Sequence, residues 1–315
     1  MVVEKRPNTA DEADLKVSKR LKTTEEADIT VGKRPEIRNE ADLTIWMCMD
    51  TVTGVQHTQW YHFTPENETY YGYSDKRRFD ITFDEFVAGL ERISDDAIFP
   101  EVPTDTQITI APKSLDADTV HIKRSGLRRY ENAEKGSTCG AKDQLLAEVL
   151  VMEKLSKTPH PYIVEYYGCT VHRGRITSIA TEKLGQPLSV YAYDDPHRFN
   201  QIDKAAFLAG VESAVKFLHS LGLAHNDISP LNIMVREPSN GVGACTPVLI
   251  DFDSCGPFGT QPLSLGSPGF CDEEDEDFTS QKRHDEFALK RLAEWWDEEH
   301  DPKKLLCFGC GGKKD

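Results

Sequence analysis

Three polar residues in the second half of the chain have the types and spacing that a phosphoryl-transfer site needs. Asp227 and Asn232 stand five residues apart after an apolar segment, and Asp251 directly follows a second apolar run. Phosphoryl transfer requires one carboxylate at the attacking hydroxyl and separate oxygen ligands that hold Mg²⁺ on the nucleotide phosphates. A loop between two short strands can direct such side chains into one pocket. The three residues therefore supply both kinds of group.

A lysine and a glutamate farther upstream are predicted to form an ion pair. Lys123 ends an alternating strand, and Glu148 shares a helical face with Leu145 and Met152. That face would bury the Glu148 carboxylate unless a cation meets it, and Lys123 is the evident partner. We therefore expect Lys123 within salt-bridge reach of Glu148. Two alternatives remain open: Lys123 could be a surface lysine, or it could meet Glu153, which we expect to be solvated.

These residues resemble the motifs of eukaryotic protein kinases. His225-Asn-Asp-Ile-Ser-Pro-Leu-Asn232 resembles the HxDxxxxN catalytic loop, and Asp251-Phe-Asp253 resembles the DFG metal motif. Gly266-Ser-Pro-Gly-Phe270 is similar to the end of an activation segment. His284-Asp285 is similar to the start of the helix whose Asp braces the catalytic loop. The resemblance covers residues 100–299 and is strongest to small fungal protein-kinase-like proteins.

The resemblance implies a reaction and a role for each residue. ATP and Mg²⁺ would be the cofactors, and Ser or Thr of a protein would accept the phosphate. Lys123 would contact the phosphates, Glu148 would position that lysine, and Asp227 would accept the proton of the hydroxyl. Glu182 and Leu184, in the hinge, would contact ATP. Asn232 and Asp251 would bind the metal.

Several departures from the kinase pattern leave a second function open. No glycine occurs between Gly89 and Gly126, so the glycine-rich loop that lets backbone N–H groups approach phosphates is missing. Asn226 replaces the Arg that reads activation-loop phosphorylation, Ser229 replaces a Lys, and Asp253 replaces the Gly of DFG. The alternative is a pseudokinase that acts as a nucleotide- or protein-binding scaffold.

The order of the predicted elements gives an α+β class and a two-lobed protein-kinase-like fold. Only 30 residues follow Asp285, so we predict a truncated C-terminal lobe, which leaves peptide-substrate specificity open. The predicted elements are strands at 107–110 and 119–123, a helix at 142–155, strands at 166–171 and 176–181, a hinge at 182–185 and helices beyond it.

Four regions are predicted along the chain. They are disordered 14-residue repeats at 1–45, an aromatic-rich N-terminal extension at 46–99, a kinase-like N-lobe at 100–184 and a truncated kinase-like C-lobe at 185–315. In the extension, Thr82-Phe-Asp-Glu85 is a capping-box pattern that predicts the start of a helix. We expect the extension to pack beside the small lobe.

Composition restricts the partners and the location. Acidic residues number 53 against 37 basic ones and the sequence pI is about 5.1, which argues against a general nucleic-acid or anionic-membrane surface. No apolar run approaches the roughly 18 to 20 residues that cross a bilayer, and the first residues are no signal peptide. We therefore expect an intracellular, cytoplasmic protein with reduced thiols. Cys307 and Cys310 form a single CxxC, which favours a flexible tail over a zinc site.

The first 45 residues repeat a charged unit three times. Each unit carries too few apolar residues to offset chain entropy, so we expect disorder. Lys5-Arg6 and Lys19-Arg20 also have the spacing of a bipartite nuclear import signal. Because the repeat itself generates the basic pairs, a neutral low-complexity tail is the alternative. The sequence predicts neither the oligomeric state nor the role of the repeats.

Overall fold

The computed structural model describes residues 35–49, 55–127, 130, 140–238, 243–262, 266–275, 277 and 279–298. The disordered repeats predicted at 1–45 lie outside this part of the chain as far as residue 34, and so does the Cys307–Cys310 pair. Within the described residues, Glu40–Asp42 form a 3-10 turn and Thr44 begins a strand, so the predicted disorder does not extend to residue 45. Residues 35–42 contain a 3-10 turn, Glu40–Asp42, whose Asp42 carboxylate accepts the backbone N–H of Arg38 at 2.7 Å. None of the helices that the structure describes is long and apolar enough to cross a membrane.

The extension is a four-stranded antiparallel sheet with short helices. Its helix α1 begins after Thr82, whose hydroxyl accepts the N–H of Glu85 while the Glu85 carboxylate accepts the N–H of Thr82 at 2.8 Å. The predicted capping box is therefore confirmed. The elements are β1 (Thr44–Met49), β2 (Gln56–Phe63), β3 (Thr69–Ser74), a 3-10 turn (Arg78–Asp80), α1 (Phe83–Ala88), β4 (Glu91–Ile93) and α2 (Asp95–Ile98), with the strands in the order β1-β2-β3-β4.

Trp60 lies at the centre of this sheet and is 2% exposed. Its indole N–H donates to the carbonyl of Phe86 at 2.9 Å, and the two rings meet edge to face with centroids 4.9 Å apart. The indole also covers Gly72, its direct partner on β3, where an added Cβ would overlap the ring. The glycine is therefore needed for the close approach of the ring to the backbone.

The small lobe contains a three-stranded antiparallel sheet and one long helix. They are β5 (Val120–Lys123), α3 (Ala141–Ser156), β6 (Tyr166–His172) and β7 (Arg175–Glu182), with the strands in the order β5-β7-β6. Strand β5, helix α3 and the β6–β7 hairpin agree with the predictions.

The predicted strand at 107–110 is wrong, and so is the expected solvation of Glu153. The Glu153 carboxylate accepts the backbone N–H of Thr109 at 2.7 Å, the Thr109 hydroxyl at 2.9 Å and the Tyr166 hydroxyl at 2.9 Å. This carboxylate takes the N–H that a ladder would use, and only an isolated bridge between Ile110 and Cys169 forms. The segment therefore crosses the lobe as a loop.

The extension packs on helix α3, which confirms its expected place beside the small lobe. Ile98 and Phe99 are fully buried in one apolar cluster with Leu145 and Val149 of α3. Arg173, in the β6–β7 turn, donates to Asp95 at 3.0 Å and to the carbonyls of Glu66 and Asn67 at 2.9 and 3.0 Å. The extension therefore restricts the position of the helix that carries Glu148.

The large lobe packs helices around two short strand pairs. Its elements are α4 (Leu188–Asp194), α5 (Pro196–Phe199), α6 (Lys204–Ser220), β8 (Leu223–Ala224), β9 (Ile233–Arg236), β10 (Thr246–Leu249), β11 (Gly256–Pro257) and α7 (Lys282–Trp296). Strand β8 pairs with β11, and β9 pairs with β10. Leu218, Ile233 and Leu292 are fully buried at the centre. The described part of the chain thus has the predicted α+β, two-lobed architecture.

We predict that Gly72→Ala destabilises the protein by about 1–3 kcal/mol, because a methyl group at this position overlaps the buried Trp60 ring. Gly126→Ala is the matched control: an added Cβ there meets no heavy atom within 4 Å, and its effect should stay within about 0.5 kcal/mol. Urea unfolding followed by tryptophan fluorescence measures both. Equal effects of the two substitutions would contradict the role assigned to the Trp60–Gly72 contact.

Candidate active site

A cleft of about 420 Å³ lies between the small-lobe sheet and the large lobe. Its size falls within the range of roughly 300 to 1,000 Å³ typical of small-molecule sites. Five of the seven predicted site residues line this cleft, namely Lys123, Glu148, Glu182, Leu184 and Asp251. The other two, Asp227 and Asn232, belong to the loop beside it.

Lys123 contacts two carboxylates at once. Its Nζ lies 2.6 and 2.7 Å from the two oxygens of Glu148 and 2.7 Å from Oδ1 of Asp251. The three charges come from β5, α3 and the turn after β10, so this cluster joins the two lobes. The predicted Lys123–Glu148 pair is confirmed, and the alternative pair with Glu153 is excluded because that carboxylate binds Thr109 and Tyr166.

The pKa values of the cluster follow from burial and from the opposed charges. Burial lowers the pKa of Lys123, but the charges of Glu148, Asp251 and Asp253 outweigh it and raise the pKa well above its ordinary value. Burial raises the pKa of Glu148, which the Lys123 charge only partly opposes. Burial acts on Asp251 as well, yet the charge and hydrogen bond of Lys123 bring the net pKa of this carboxyl below its ordinary range. Lys123 therefore remains the cation that keeps Asp251 ionised.

The turn that carries Asp251 is held to both neighbours. The N–H of Phe252 donates to Glu148 at 3.1 Å, and the N–H of Ile250 donates to the carbonyl of Asn232 at 3.0 Å. Asp251 itself has a positive φ of 63°, a conformation that a non-glycine residue keeps only where its surroundings enforce it. Helix α3 thus holds the turn at Phe252, and the loop that carries Asn232 holds it at Ile250, on the other side of Asp251.

Asp227 is oriented through both of its oxygens. Oδ2 accepts the side-chain N–H of Asn232 at 2.8 Å, while Oδ1 accepts the backbone N–H and the hydroxyl of Ser267 at 2.6 and 2.7 Å. Because the Asn232 amide donates through its nitrogen, its oxygen is the atom that can serve a metal. Asp227 and Asn232 are therefore in contact, as the spacing predicts.

A buried carboxylate braces the backbone of this loop. Asp285 is 0% exposed and accepts the N–H of His225 and of Asn226, each at 2.9 Å, and its Oδ2 lies 2.8 Å from His219 Nε2. Asn226 has a positive φ of 63°, which asparagine tolerates well. Its side-chain N–H groups donate to the carbonyls of Ala224 and Ser254 at 3.2 and 2.9 Å. The bracing role that the resemblance implies for Asp285 agrees with this geometry.

The hinge residues lie along one wall of the cleft. The Glu182 carboxylate accepts from Arg236 at 2.5 Å and from the N–H of Glu165 at 3.0 Å, so its side chain serves the structure of the hinge. The N–H of Lys183 donates to the carbonyl of Thr119 at 2.8 Å. Any contact of Glu182 with a ligand would therefore involve its backbone.

Two side chains of the site were missed in the sequence. Ser267 contacts Asp227, and Gln144 of α3 donates to Asp253 at 2.5 Å. The Gly-Ser-Pro-Gly pattern around Ser267 resembles the end of an activation segment, but it gave no sign that the Ser267 side chain contacts Asp227. Gln144 stands one helical turn before Glu148, and this spacing placed it on the same face.

The donor set suits Mg²⁺ only together with a phosphate. No group of three or more His, Cys, Asp or Glu side chains within the described ranges is arranged to hold a metal by itself. Mg²⁺ commonly takes one or two protein oxygens and completes its shell with water and substrate phosphates. Asn232 and Asp251 match that requirement, because the backbone bond between Asn232 and Ile250 sets them side by side.

Comparison with known families agrees with this geometry. Residues 108–271, more than half of the 315-residue chain, match the model of the protein kinase domain. The match includes Lys123, Glu148, Asp227, Asn232 and Asp251. The chain belongs to the protein kinase domain family.

Three curated relatives each match less than half of the chain. Serine/threonine-protein kinase/endoribonuclease IRE1 of Hypocrea jecorina is 26% identical over 153 residues, which are 45% of this chain and 11% of that protein. Serine/threonine-protein kinase DCLK1 of Rattus norvegicus is 27% identical over 135 residues, 38% of this chain and 27% of that protein. Serine/threonine-protein kinase Tao of Drosophila melanogaster is 28% identical over 130 residues, 41% of this chain and 11% of that protein. The chain thus spans a small part of each relative.

We predict that Lys123→Met lowers the free energy of unfolding by about 3 kcal/mol near pH 7, because it leaves the buried Glu148 carboxylate without its cation. The loss should shrink as the pH falls from about 8 to about 5. In the variant, Glu148 has a raised pKa and takes up a proton, which relieves the cost of its burial. The lowered pKa of Asp251 does not alter this window, because the stabilising contribution of that carboxylate fades only below its ordinary pKa of 3.8.

Urea unfolding of both proteins across this pH range checks the prediction. Lys113→Met, at an exposed lysine, is the matched control and should change stability little at any of these pH values. A loss that stays constant or grows towards acid pH would show that the Lys123 cluster does not have the charges assigned to it.

Proposed function

We propose that this chain is an ATP- and Mg²⁺-dependent protein kinase that phosphorylates Ser or Thr. The observation that carries the proposal is the cluster of Lys123 with Glu148 and Asp251, set beside Asp227 and Asn232 at one cleft. A protein that only binds partners would not need a general base and a cation for phosphate held at fixed positions relative to each other. The relatives are named serine/threonine-protein kinases, which supports Ser or Thr as the acceptor and disfavours the pseudokinase alternative.

Each side chain has a role in the proposed transfer. The bond from the γ-phosphorus to the β–γ bridging oxygen breaks, and a bond from that phosphorus to the acceptor hydroxyl forms, which leaves ADP. Asp227 orients the hydroxyl and accepts its proton, while Lys123 contacts the phosphate oxygens and Glu148 holds that lysine. Mg²⁺ bound by Asn232 and Asp251 would neutralise charge on the phosphates. Glu182 and Leu184 would contact ATP at the hinge.

Weak nucleotide affinity is part of the proposal. Residues 101–119, all of them described, form no hairpin over the cleft, and the sheet begins at β5. The backbone N–H groups of a glycine-rich loop are therefore not available to the phosphates. We expect the KM for ATP in the upper part of the roughly 1 μM to 1 mM range that is usual for enzymes.

The second part of the proposal is that the kinase is active without phosphorylation of its activation segment. In the catalytic loop, Asn226 stands where an Arg would bind the phosphate, and its side chain instead bonds Ala224, Ser254 and the Ser280 hydroxyl, the last at 3.0 Å. These contacts tie the loop to the chain on both sides of the activation segment. They support a site that assembles without a phosphate. The intracellular location and import through the basic repeats stay predictions.

The proposal predicts that ATP raises the melting temperature in Mg²⁺ much more than in EDTA, and that the protein transfers radiolabelled phosphate to a general Ser/Thr substrate. Asp251→Asn should abolish the Mg²⁺-dependent part of the shift, because its carboxylate acts through the ion. Asp227→Asn should keep that shift and lower transfer about a hundredfold or more, because its carboxylate serves the hydroxyl.

Asp105→Asn, at an exposed loop aspartate, is the control and should leave both measurements unchanged. A thermal shift indifferent to Mg²⁺, together with transfer that does not depend on Asp227, would contradict the proposal. Nucleotide binding without transfer would instead favour the scaffold.

A further inference from the structure

The second carboxylate of the Asp251-Phe252-Asp253 motif is held by a side chain of helix α3. Gln144 Nε2 donates to Asp253 Oδ2 at 2.5 Å, and the hydroxyl of Ser254 donates to Oδ1 at 3.0 Å. A glycine at position 253, the usual residue of the motif, could make neither contact. The Gln144–Asp253 contact therefore belongs to this chain's own variation of the motif.

Helix α3 thereby makes two hydrogen bonds to the motif. Glu148, one turn beyond Gln144, accepts the N–H of Phe252 at 3.1 Å. Residues four apart in a helix share a face, so both side chains point at the same stretch of backbone. Phe252, whose N–H makes one of these contacts, is 1% exposed, and its ring lies 5.1 Å from the His225 ring. Phe252 is thus enclosed between side chains of α3 and the core of the large lobe.

Asp253 needs a partner of its own because the Lys123 cation lies close by. The Asp253 charge acts on both Lys123 and Asp251. A loose carboxylate at this position would compete with Asp251 for the Lys123 ammonium. The Gln144 amide satisfies one oxygen of Asp253 with a neutral donor, so Lys123 keeps Glu148 and Asp251 as its partners. A glutamate at position 144 would repel Asp253, and a methionine would leave it without this donor.

We propose that Gln144 is a positioning residue: through Asp253 it fixes the Asp251-Phe252-Asp253 turn, and with it the metal-binding carboxylate, before nucleotide binds. The proposal rests on the proposed function in one respect, the role of Asp251 toward Mg²⁺. Its structural part, the hold of α3 on the turn, applies to the protein without any ligand.

Amide hydrogen exchange of the full chain without nucleotide tests the structural part. Exchange at Phe252 and Asp253 should be about tenfold faster in Gln144→Met, the effect of losing one hydrogen bond to a charged group, and faster still in Gln144→Glu. Gln107→Met, at an exposed glutamine, is the control and should not change it. Unchanged exchange in both position-144 variants would overturn the proposal.

Double substitutions separate this contact from a general weakening of α3. In the double variant with Gln144→Met and Asp253→Gly, amide exchange at positions 252 and 253 should be no faster than in the faster of the two single variants. Both substitutions remove the same hydrogen bond. Gln144→Glu combined with Asp253→Asn places the amide on the motif and the carboxylate on the helix, and it should restore slow exchange relative to Gln144→Glu alone. Additive single effects without restoration would overturn the proposal.

The Mg²⁺ concentration that gives half of the ATP-dependent thermal shift tests the functional part. Gln144→Met should raise this concentration about fivefold, because a loose turn must be ordered when the metal binds, and should leave the shift in EDTA unchanged. An equal loss in Mg²⁺ and in EDTA would overturn a role in placing Asp251. If the unsubstituted protein itself shows no Mg²⁺-dependent shift, the proposed function fails while the exchange measurements still decide the hold of Gln144.

Discussion

The whole site depends on one half-buried cation shared by two carboxylates. Lys123 lies 2.6 Å from Glu148 and 2.7 Å from Asp251, and these residues belong to a small-lobe strand, the small-lobe helix and the turn after β10. A carboxylate as buried as Glu148 is tolerated only when it is paired and hydrogen-bonded. The lysine meets that requirement, and the N–H of Phe252 adds a second donor. The need to neutralise Glu148 therefore joins the small-lobe strand to the small-lobe helix. The contacts of Lys123 with Asp251 and of Glu148 with Phe252 then hold the turn of the large lobe at the cleft.

The chain itself fixes the helix that carries Glu148. Apolar residues of the extension, Ile98 and Phe99, pack against α3, and Arg173 ties the extension to the β6–β7 turn. On the other side, Asp285 and Asn226 hold the catalytic loop through buried hydrogen bonds. Each of these contacts joins residues of this chain. This explains how a kinase domain without a glycine-rich loop can keep an ordered site.

Sequence reasoning succeeded where a constraint is local or forced by burial. The order of strands and helices, the capping box at Thr82 and the Lys123–Glu148 pair follow from periodicity, cap chemistry and the cost of an unpaired charge. It failed at 107–110, where alternation suggested a strand but Glu153, 44 residues away, takes the N–H of Thr109. Gln144 and Ser267 were missed for the same reason: their partners, Asp253 and Asp227, are distant in sequence and become evident only in the folded chain.

The most direct test of a site assembled by the chain itself is the time course of phosphate transfer by the 315-residue chain, once mass spectrometry shows that it is free of phosphate. The contacts of Lys123, Asn226 and Asp285 predict transfer that is linear from the first turnovers and unchanged by incubation with ATP beforehand. A lag that such incubation removes would show that the site needs phosphorylation to assemble. Such a lag, or the absence of any transfer, would contradict the account.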